Sequence, residues 1–343
     1  MKKIYKIIFT DYYFPNINKE INQLNQLGDV EIIDCNNIAK GEVASEEQLL
    51  EHLQKYKALD ADAVLVNHAL ITSKFISRLT NCQVILRYGI GVDNVDVKFA
   101  QEKGIKVANI PDYCIEEVAE NTITLMLATV RKIFLQNKLL RNQKFNYDQI
   151  EPIRRFSELT VGLLAFGNIG RKVAEKLKNF NVKIIAYDPY FEQKDLYNWV
   201  EFVKLEQLLK QADVISIHAP LNEQTRYIIN KEAIEMMKDG VFIINTSRGG
   251  LIDENALYKG LMSGKIGGAG LDILDYKDEN DYYLSNLMDL DNVFITPHTS
   301  WYSEEAIYDL QVKAGNTVYQ ELSKKTSRFA EKCTAYTKLV AVL

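Results

Sequence analysis

Residues 161–188, VGLLAFGNIGRKVAEKLKNFNVKIIAYD, decide the fold of this 343-residue chain. Residues 161–165 are a short apolar run and Gly167-Asn168-Ile169-Gly170 is a glycine turn. Val173, Leu177 and Phe180 then recur at helical spacing before a second apolar run, 182–187. The order is strand, turn, helix, strand, and it closes on Asp188. In such a unit the glycines let backbone N–H groups approach a pyrophosphate at a helix N-terminus, and an acid about 20 residues on receives the adenosine ribose. Asp188 stands 18 residues after Gly170, which fits a dinucleotide-binding turn. The expected contacts are Ala165, Phe166, Gly167, Asn168, Ile169 and Gly170, with Asp188. Ala165 replaces the first glycine of the usual pattern, which the turn tolerates if φ stays negative there. Asp188 also selects the cofactor. Its carboxylate repels a 2′-phosphate, and Pro189 follows it instead of an arginine, so NAD is expected over NADP.

Outward from that unit, length and a 47% hydrophobic content allow two domains with full cores. The net charge of −5, with no run of lysine or arginine longer than a pair such as Lys324-Lys325, argues against nucleic acid as a partner. No apolar run reaches membrane-spanning length, and Met1-Lys2-Lys3 leads directly into a strand-like run, so a cytoplasmic protein without a membrane partner is expected. Cys35, Cys82, Cys114 and Cys333 are widely spaced, with no CxxC and no nearby histidine pair, so neither a metal site nor a disulfide framework is indicated.

Strand-like runs at 5–10, 30–34, 63–67, 84–87 and 106–110 interleave with helical patterns at 46–56 and 74–79, which predicts a parallel sheet with helices on both faces. Residues 109–111 read as a hinge. A long apolar-periodic helix, 115–132, follows Asp112 and opens with Glu116-Glu117. A second α/β series comes next: the dinucleotide unit, then strands at 214–218, 241–246, 269–273 and 293–296. Eight of the 17 glycines fall between Gly240 and Gly270, a density of tight turns typical of a ligand site. An amphipathic helix from Ser303 to about Lys324 returns to the first domain.

Four strand-end segments carry unusual polar residues: Arg87-Tyr88-Gly89-Ile90-Gly91, Asn245-Thr246-Ser247-Arg248-Gly249-Gly250, Leu271-Asp272 and Thr296-Pro297-His298. Ligands of open α/β sheets sit outside the carboxyl ends of the strands, so these segments read as a cleft. With RYGIGVDNVD (87–96), NIPDYCIEEVAENT (109–122), YDPY (187–190), HAPLNEQTR (218–226), NTSRGGLIDE (245–254), GAGLD (268–272) and TPHTSWYSEEA (296–306), the chain resembles the D-2-hydroxyacid dehydrogenases. The resemblance is strongest to the branch that holds C-terminal-binding proteins and their bacterial relatives.

The resemblance implies two doubly wound parallel-sheet α/β domains with a cleft between them. A flavodoxin-like substrate domain would span 1–110 with 298–343 returning to it, and a Rossmann NAD-binding domain 111–297. It implies a homodimer and hydride transfer between NADH and a small 2-keto acid. Arg248 matches the arginine that binds the substrate carboxylate, and His298 the acid/base. Arg87 with Gly89, Ile90 and Gly91 matches the loop holding the same carboxylate, and Trp301 a wall facing the substrate. Thr122, His218, Ala219, Pro220, Thr246, Ser247 and Asp272 match positions on the cofactor side. One position departs. The family pairs its histidine with a glutamate five residues after the aspartate of GAGLD, and that position here is Lys277, with Asp275, Asp278 and Glu279 nearby. That departure keeps an alternative open, an NAD(H)-responsive regulatory protein with weak or lost turnover.

Overall fold

The computed structural model describes residues 3–144, 148, 150, 152–274 and 286–324. The chain divides into two compact units: the first runs through Cys114 and resumes at Ser303, and the second is Ile115–Tyr302.

In the first unit β1 (Tyr5–Phe9), β2 (Val30–Asp34), β3 (Ala63–Val66), β4 (Val84–Arg87) and β5 (Lys106–Ala108) form one parallel sheet in the order β2-β1-β3-β4-β5. That is the flavodoxin-like order. The central strand, β3, is wholly apolar because both faces are covered. On one face lie α2 (Glu46–Lys55), α3 (Ser73–Ile76) and α4 (Val97–Glu102), packing Leu49, Leu53 and Phe75 against Ile8, Val64 and Ile85. On the other lie α1 (Asn18–Leu24) and the last helix, α11 (Glu304–Lys324), whose Leu310, Ala314 and Val318 meet Ile7, Leu65 and Leu86. Gly315 sets how closely those two helices cross: a Cβ there would stand 2.9 Å from the Glu20 Cα.

The second unit builds a seven-stranded parallel sheet from β6 (Thr160–Leu164), β7 (Lys183–Tyr187), β8 (Glu201–Phe202), β9 (Val214–Ile217), β10 (Val241–Asn245), β11 (Ile266–Leu271) and β12 (Val293–Ile295). Its order, β12-β11-β10-β9-β6-β7-β8, reverses direction between β6 and β9, the switch point at which doubly wound sheets bind ligands. On one face α5 (Ile115–Val130) and α7 (Asn168–Leu177) contribute Ala119, Ile123, Leu125, Val173 and Leu177. On the other, α8 (Leu205–Gln211), α9 (Lys231–Met236) and α10 (Glu254–Met262) contribute Leu208, Ile234 and Leu257.

Two expectations change in detail. The helix expected over 115–132 stops at Val130: Lys132 takes a left-handed conformation, φ 53°, and a separate helix, α6 (Ile133–Arg141), follows. No glycine or proline marks that break. The turn carrying His298 and Trp301 belongs to the second unit, a few residues past the expected divide at 297/298. The His298 N–H donates to the Asp272 carbonyl, and the N–H groups of Thr299 and Ser300 donate to the Asp272 carboxylate, which ties the turn to the end of β11.

Candidate active site

The dinucleotide turn joins β6 to α7. Gly167 is the N-cap of α7, and the first intrahelical bond runs from the Arg171 N–H to the Gly167 carbonyl at 2.9 Å. The N–H groups of Asn168, Ile169 and Gly170 therefore precede the helical ladder and aim out of the N-terminus. The two glycines do different jobs. A Cβ on Gly167 would meet nothing within 4 Å, so that side is open to an approaching group. A Cβ on Gly170 would stand 2.6 Å from the Ala165 carbonyl oxygen, so Gly170 lets the helix close on the turn.

Ala165 departs from the expected negative φ. It sits at +75°, because its N–H continues the ladder to the Tyr187 carbonyl, 2.8 Å, while the chain must already bend into Gly167. Left-handed strain at a non-glycine residue costs about 1–2 kcal/mol. The Phe166 ring is buried against Phe191, Tyr197 and Phe202, so Phe166 faces the turn only through its backbone. Its N–H donates to Asp188 at 2.8 Å, and the N–H groups of Tyr190 and Phe191 donate to the same carboxylate at 2.8 and 3.1 Å. Three bonds leave a carboxylate lone pair for a ribose hydroxyl. An open nest, a closely packed glycine and a fixed acid at the end of β7 fit a bound dinucleotide.

After β9 the chain reaches His218, Ala219 and Pro220. The His218 N–H donates to the Leu164 carbonyl at 2.8 Å, and its Nε2 lies 2.9 Å from the Ser216 hydroxyl. Burial lowers the imidazole pKa to about 3, so this ring stays neutral and is no proton donor at working pH. Thr122 on α5 is completely buried. Its hydroxyl donates to the Val118 carbonyl and bonds the Thr246 hydroxyl at 2.8 Å, so it supports Thr246 from beneath.

The turn after β10 carries Arg248. Asn245, buried at the strand end, donates through Nδ2 to the Arg248 carbonyl at 2.9 Å and accepts the Ser247 N–H at 3.0 Å. Ser247 reaches back to the Ile217 carbonyl at 2.7 Å. These bonds fix the backbone beneath a half-buried guanidinium. At the end of β11, buried Asp272 accepts the Thr296 hydroxyl and the Thr299 and Ser300 N–H groups, the last two at 3.0 Å each. It thereby shapes the turn that presents His298. His298 is exposed, with φ +54°, a costly conformation that persists because its surroundings impose it. Trp301 adds to that constraint by donating its indole N–H to the His298 carbonyl at 2.9 Å.

Arg87, the last residue of β4, and Gly89, Ile90 and Gly91, just past it, lie at the carboxyl edge of the first unit's own sheet. Gly89 has φ +126°, and a Cβ there would fall 1.9 Å from the Arg87 Nη1, so the guanidinium lies across this glycine. The Gly89 carbonyl accepts the Ile110 N–H at 2.9 Å and the Ile90 carbonyl accepts Asn109 Nδ2 at 2.6 Å. Lys277, Asp275, Asp278 and Glu279 lie outside the described residues. Among the described residues no three His, Cys, Asp or Glu side chains are grouped to hold a metal ion.

Residues 123–300 match the family model described as D-isomer specific 2-hydroxyacid dehydrogenase, NAD binding domain. The chain is 42% identical to the hydroxypyruvate reductase of Thermotoga maritima over 79% of this chain and 90% of that one. The chain belongs to the D-isomer specific 2-hydroxyacid dehydrogenase family. Two solved structures of similar fold are the D-lactate dehydrogenase of Aquifex aeolicus complexed with NAD and lactic acid and an acyclic imino acid reductase in complex with NADPH and D-Arg. The first has TM-score 0.81 and 27% identity, and covers 94% of this chain and 97% of its own; the second has 0.80, 30%, 93% and 98%. As a D-2-hydroxyacid dehydrogenase the chain is an oxidoreductase, and its second unit carries the family's NAD-binding Rossmann sheet.

In that dehydrogenase frame, sequence reading named the groups at the strand ends and missed those that hold them. Asn121, whose amide bonds the Ser300 hydroxyl, and the carboxylate of Asp11 act on neighbours distant in sequence, and Ser216 holds the ring of His218 two residues on. Asn245 was legible as a polar strand end, but its hold on the Arg248 turn was not. Arg171 could have been noticed as a cation one residue past Gly170; its guanidinium bonds the Phe166 carbonyl at 3.3 Å and the Asn168 side chain, beside the open nest.

Proposed function

We propose that this dehydrogenase reduces a small 2-keto acid to the D-2-hydroxy acid with NADH, Arg248 binding the substrate carboxylate and His298 giving the proton. The observation that carries the reading is that the glycine turn, the Arg248 turn and the Asp272-bound His298 turn all lie on the carboxyl edge of one parallel sheet. Bound NADH supplies the hydride to the keto carbon. Arg248 presents a planar pair of N–H donors to the carboxylate, which orients the carbonyl. His298, protonated, donates to the carbonyl oxygen as the alcohol forms, and in the reverse direction accepts that proton. Arg87 with Gly89, Ile90 and Gly91 is proposed to hold the carboxylate as well, and Trp301 to limit the keto-acid side chain while it fixes the His298 carbonyl.

On the cofactor side, Asn168, Ile169 and Gly170 would receive the pyrophosphate, Asp188 the ribose, His218 to Pro220 the adenine side, and Thr246 and Ser247 the nicotinamide half. Asp188 supports NADH over NADPH. A homodimer in the cytoplasm is proposed, and the exposed Ile133, Phe134 and Leu140 of α6 give the dimer an apolar surface to cover. The test is His298→Gln: kcat for pyruvate reduction should fall about 10²–10⁴-fold while NADH binding, read by its fluorescence, is unchanged. A kcat within a few-fold of the parent would remove His298 from the reaction.

A further inference from the structure

The two residues after β1, Thr10 and Asp11, are buried at the carboxyl edge of the first unit's sheet. The Asp11 carboxylate accepts three consecutive backbone N–H groups from the turn after β3: Asn67 at 3.1 Å, His68 at 2.6 Å and Ala69 at 3.3 Å. The Thr10 hydroxyl donates to it as well, at 2.8 Å. Successive N–H groups converging on one point form an anion nest, and here the anion is the chain's own side chain.

The opposite side of that turn faces Arg87. The Asn67 carbonyl accepts Arg87 Nε at 3.3 Å and Asn94 Nδ2 at 3.2 Å, and Asn94 Nδ2 also donates to the Ala69 carbonyl at 2.9 Å. The guanidinium is thus held at Nε by a carbonyl whose own peptide chain is fixed by Asp11, while its Nη1 end lies across Gly89. Turning the Asn67–Ala69 backbone by even a small angle would move the carbonyl and with it the reach of Arg87.

We propose that Asp11 is a positioning residue for substrate: by filling the nest after β3 it fixes the Asn67 carbonyl, and through it the aim of the Arg87 guanidinium. The inference rests on the reading of Arg87 as a ligand of the substrate carboxylate. An amide cannot replace the carboxylate, because an Asn side chain turns an NH2 donor toward at least one of the three N–H groups.

The test is a double-mutant cycle on the full chain. Asp11→Asn should raise KM for pyruvate about tenfold, the size of one weakened charge-assisted hydrogen bond, with kcat within about twofold and NADH affinity unchanged. Arg87→Ala should raise KM by more, and Asp11→Asn added to it should change nothing further. Asn94→Ala should shift KM in the same direction by less, and it carries the test if Asp11→Asn does not fold. Additive effects in the double variant, or a parent KM in both Asp11→Asn and Asn94→Ala while Arg87→Ala raises it, would overturn the role of Asp11 alone. A parent KM in Arg87→Ala would overturn the reading of Arg87, and the role of Asp11 with it.

Discussion

In the first unit a buried aspartate two residues past β1, Asp11, takes hydrogen bonds from the turn after the neighbouring β3; in the second a buried aspartate one residue past β11, Asp272, takes them from the turn after the neighbouring β12. The two sheets share this device because parallel strands end together and leave rows of backbone N–H groups that must be paired. They differ in what is left over. The first unit fills its nest with its own carboxylate. The second adds a glycine turn whose N–H groups face open space at Gly167. An edge of this kind becomes a cofactor site where its donors are left for a ligand, and a scaffold where a side chain takes them.

Arg248→Ala should sharpen that comparison most, since it removes a ligand from the open edge and leaves every backbone bond beneath it in place. We expect kcat/KM for keto acids to fall on the order of 10²–10³-fold, with the melting midpoint little changed. A loss under tenfold would mean that the carboxylate binds elsewhere. Asp188→Ala comes next. It should narrow the preference for NADH over NADPH by about tenfold in the ratio of kcat/KM values, through loss of ribose hydrogen bonds and of repulsion toward a 2′-phosphate. An unmoved ratio would sink the assignment.

A third prediction breaks the likeness between buried acids. Asp11 is met by backbone donors from a distant turn, but Glu20, also buried in the first unit, meets its own backbone N–H, the Tyr88 hydroxyl at 2.9 Å and the Gln311 amide at 3.0 Å, with Lys19 bonded to the far side of Gln311. Burial raises its pKa to about 7 against these donors. A carboxyl with a raised folded-state pKa favours the folded state most at low pH, and that stability is lost as pH rises from about 4.5 to about 7. Glu20→Gln should remove this slope, worth up to about 3 kcal/mol, as measured by urea midpoints across that range. Parallel pH profiles for parent and variant would refute it. Ala165→Gly should have the smallest effect. It relieves the left-handed strain in the dinucleotide turn and loses some of that gain to unfolded-chain entropy, so stability should rise by about 1 kcal/mol or less. A fall in stability would show that Ala165 is not strained.

The alternation of apolar runs and helical spacing made both sheets legible, and the expected strands fell within a few residues of where the periodicity put them, while the two-residue edge strand β8 was too short to announce itself. The glycine turn with its spaced acid, and the polar residues at strand ends, located the site because those features are local in sequence. What escaped was non-local. Nothing near Asp11 announces that it will meet the turn at Asn67, and nothing near Asn121 that it will meet Ser300. The break at Lys132 and the positive φ of Ala165 and His298 were hidden for a related reason. Ala165 and His298 are held by backbone bonds to residues more than twenty positions away, Tyr187 and Asp272, and at Lys132 no glycine or proline announces the turn.

The most direct test of the open edge as a working hydride-transfer site is turnover by the unmodified protein: NADH, pyruvate or a larger 2-keto acid, loss of absorbance at 340 nm, and the handedness of the product. The account predicts NADH oxidation that depends on the keto acid, faster than with NADPH, and a 2-hydroxy acid of the D configuration. NADH that binds but is not oxidised by any 2-keto acid, or an L product, would contradict it.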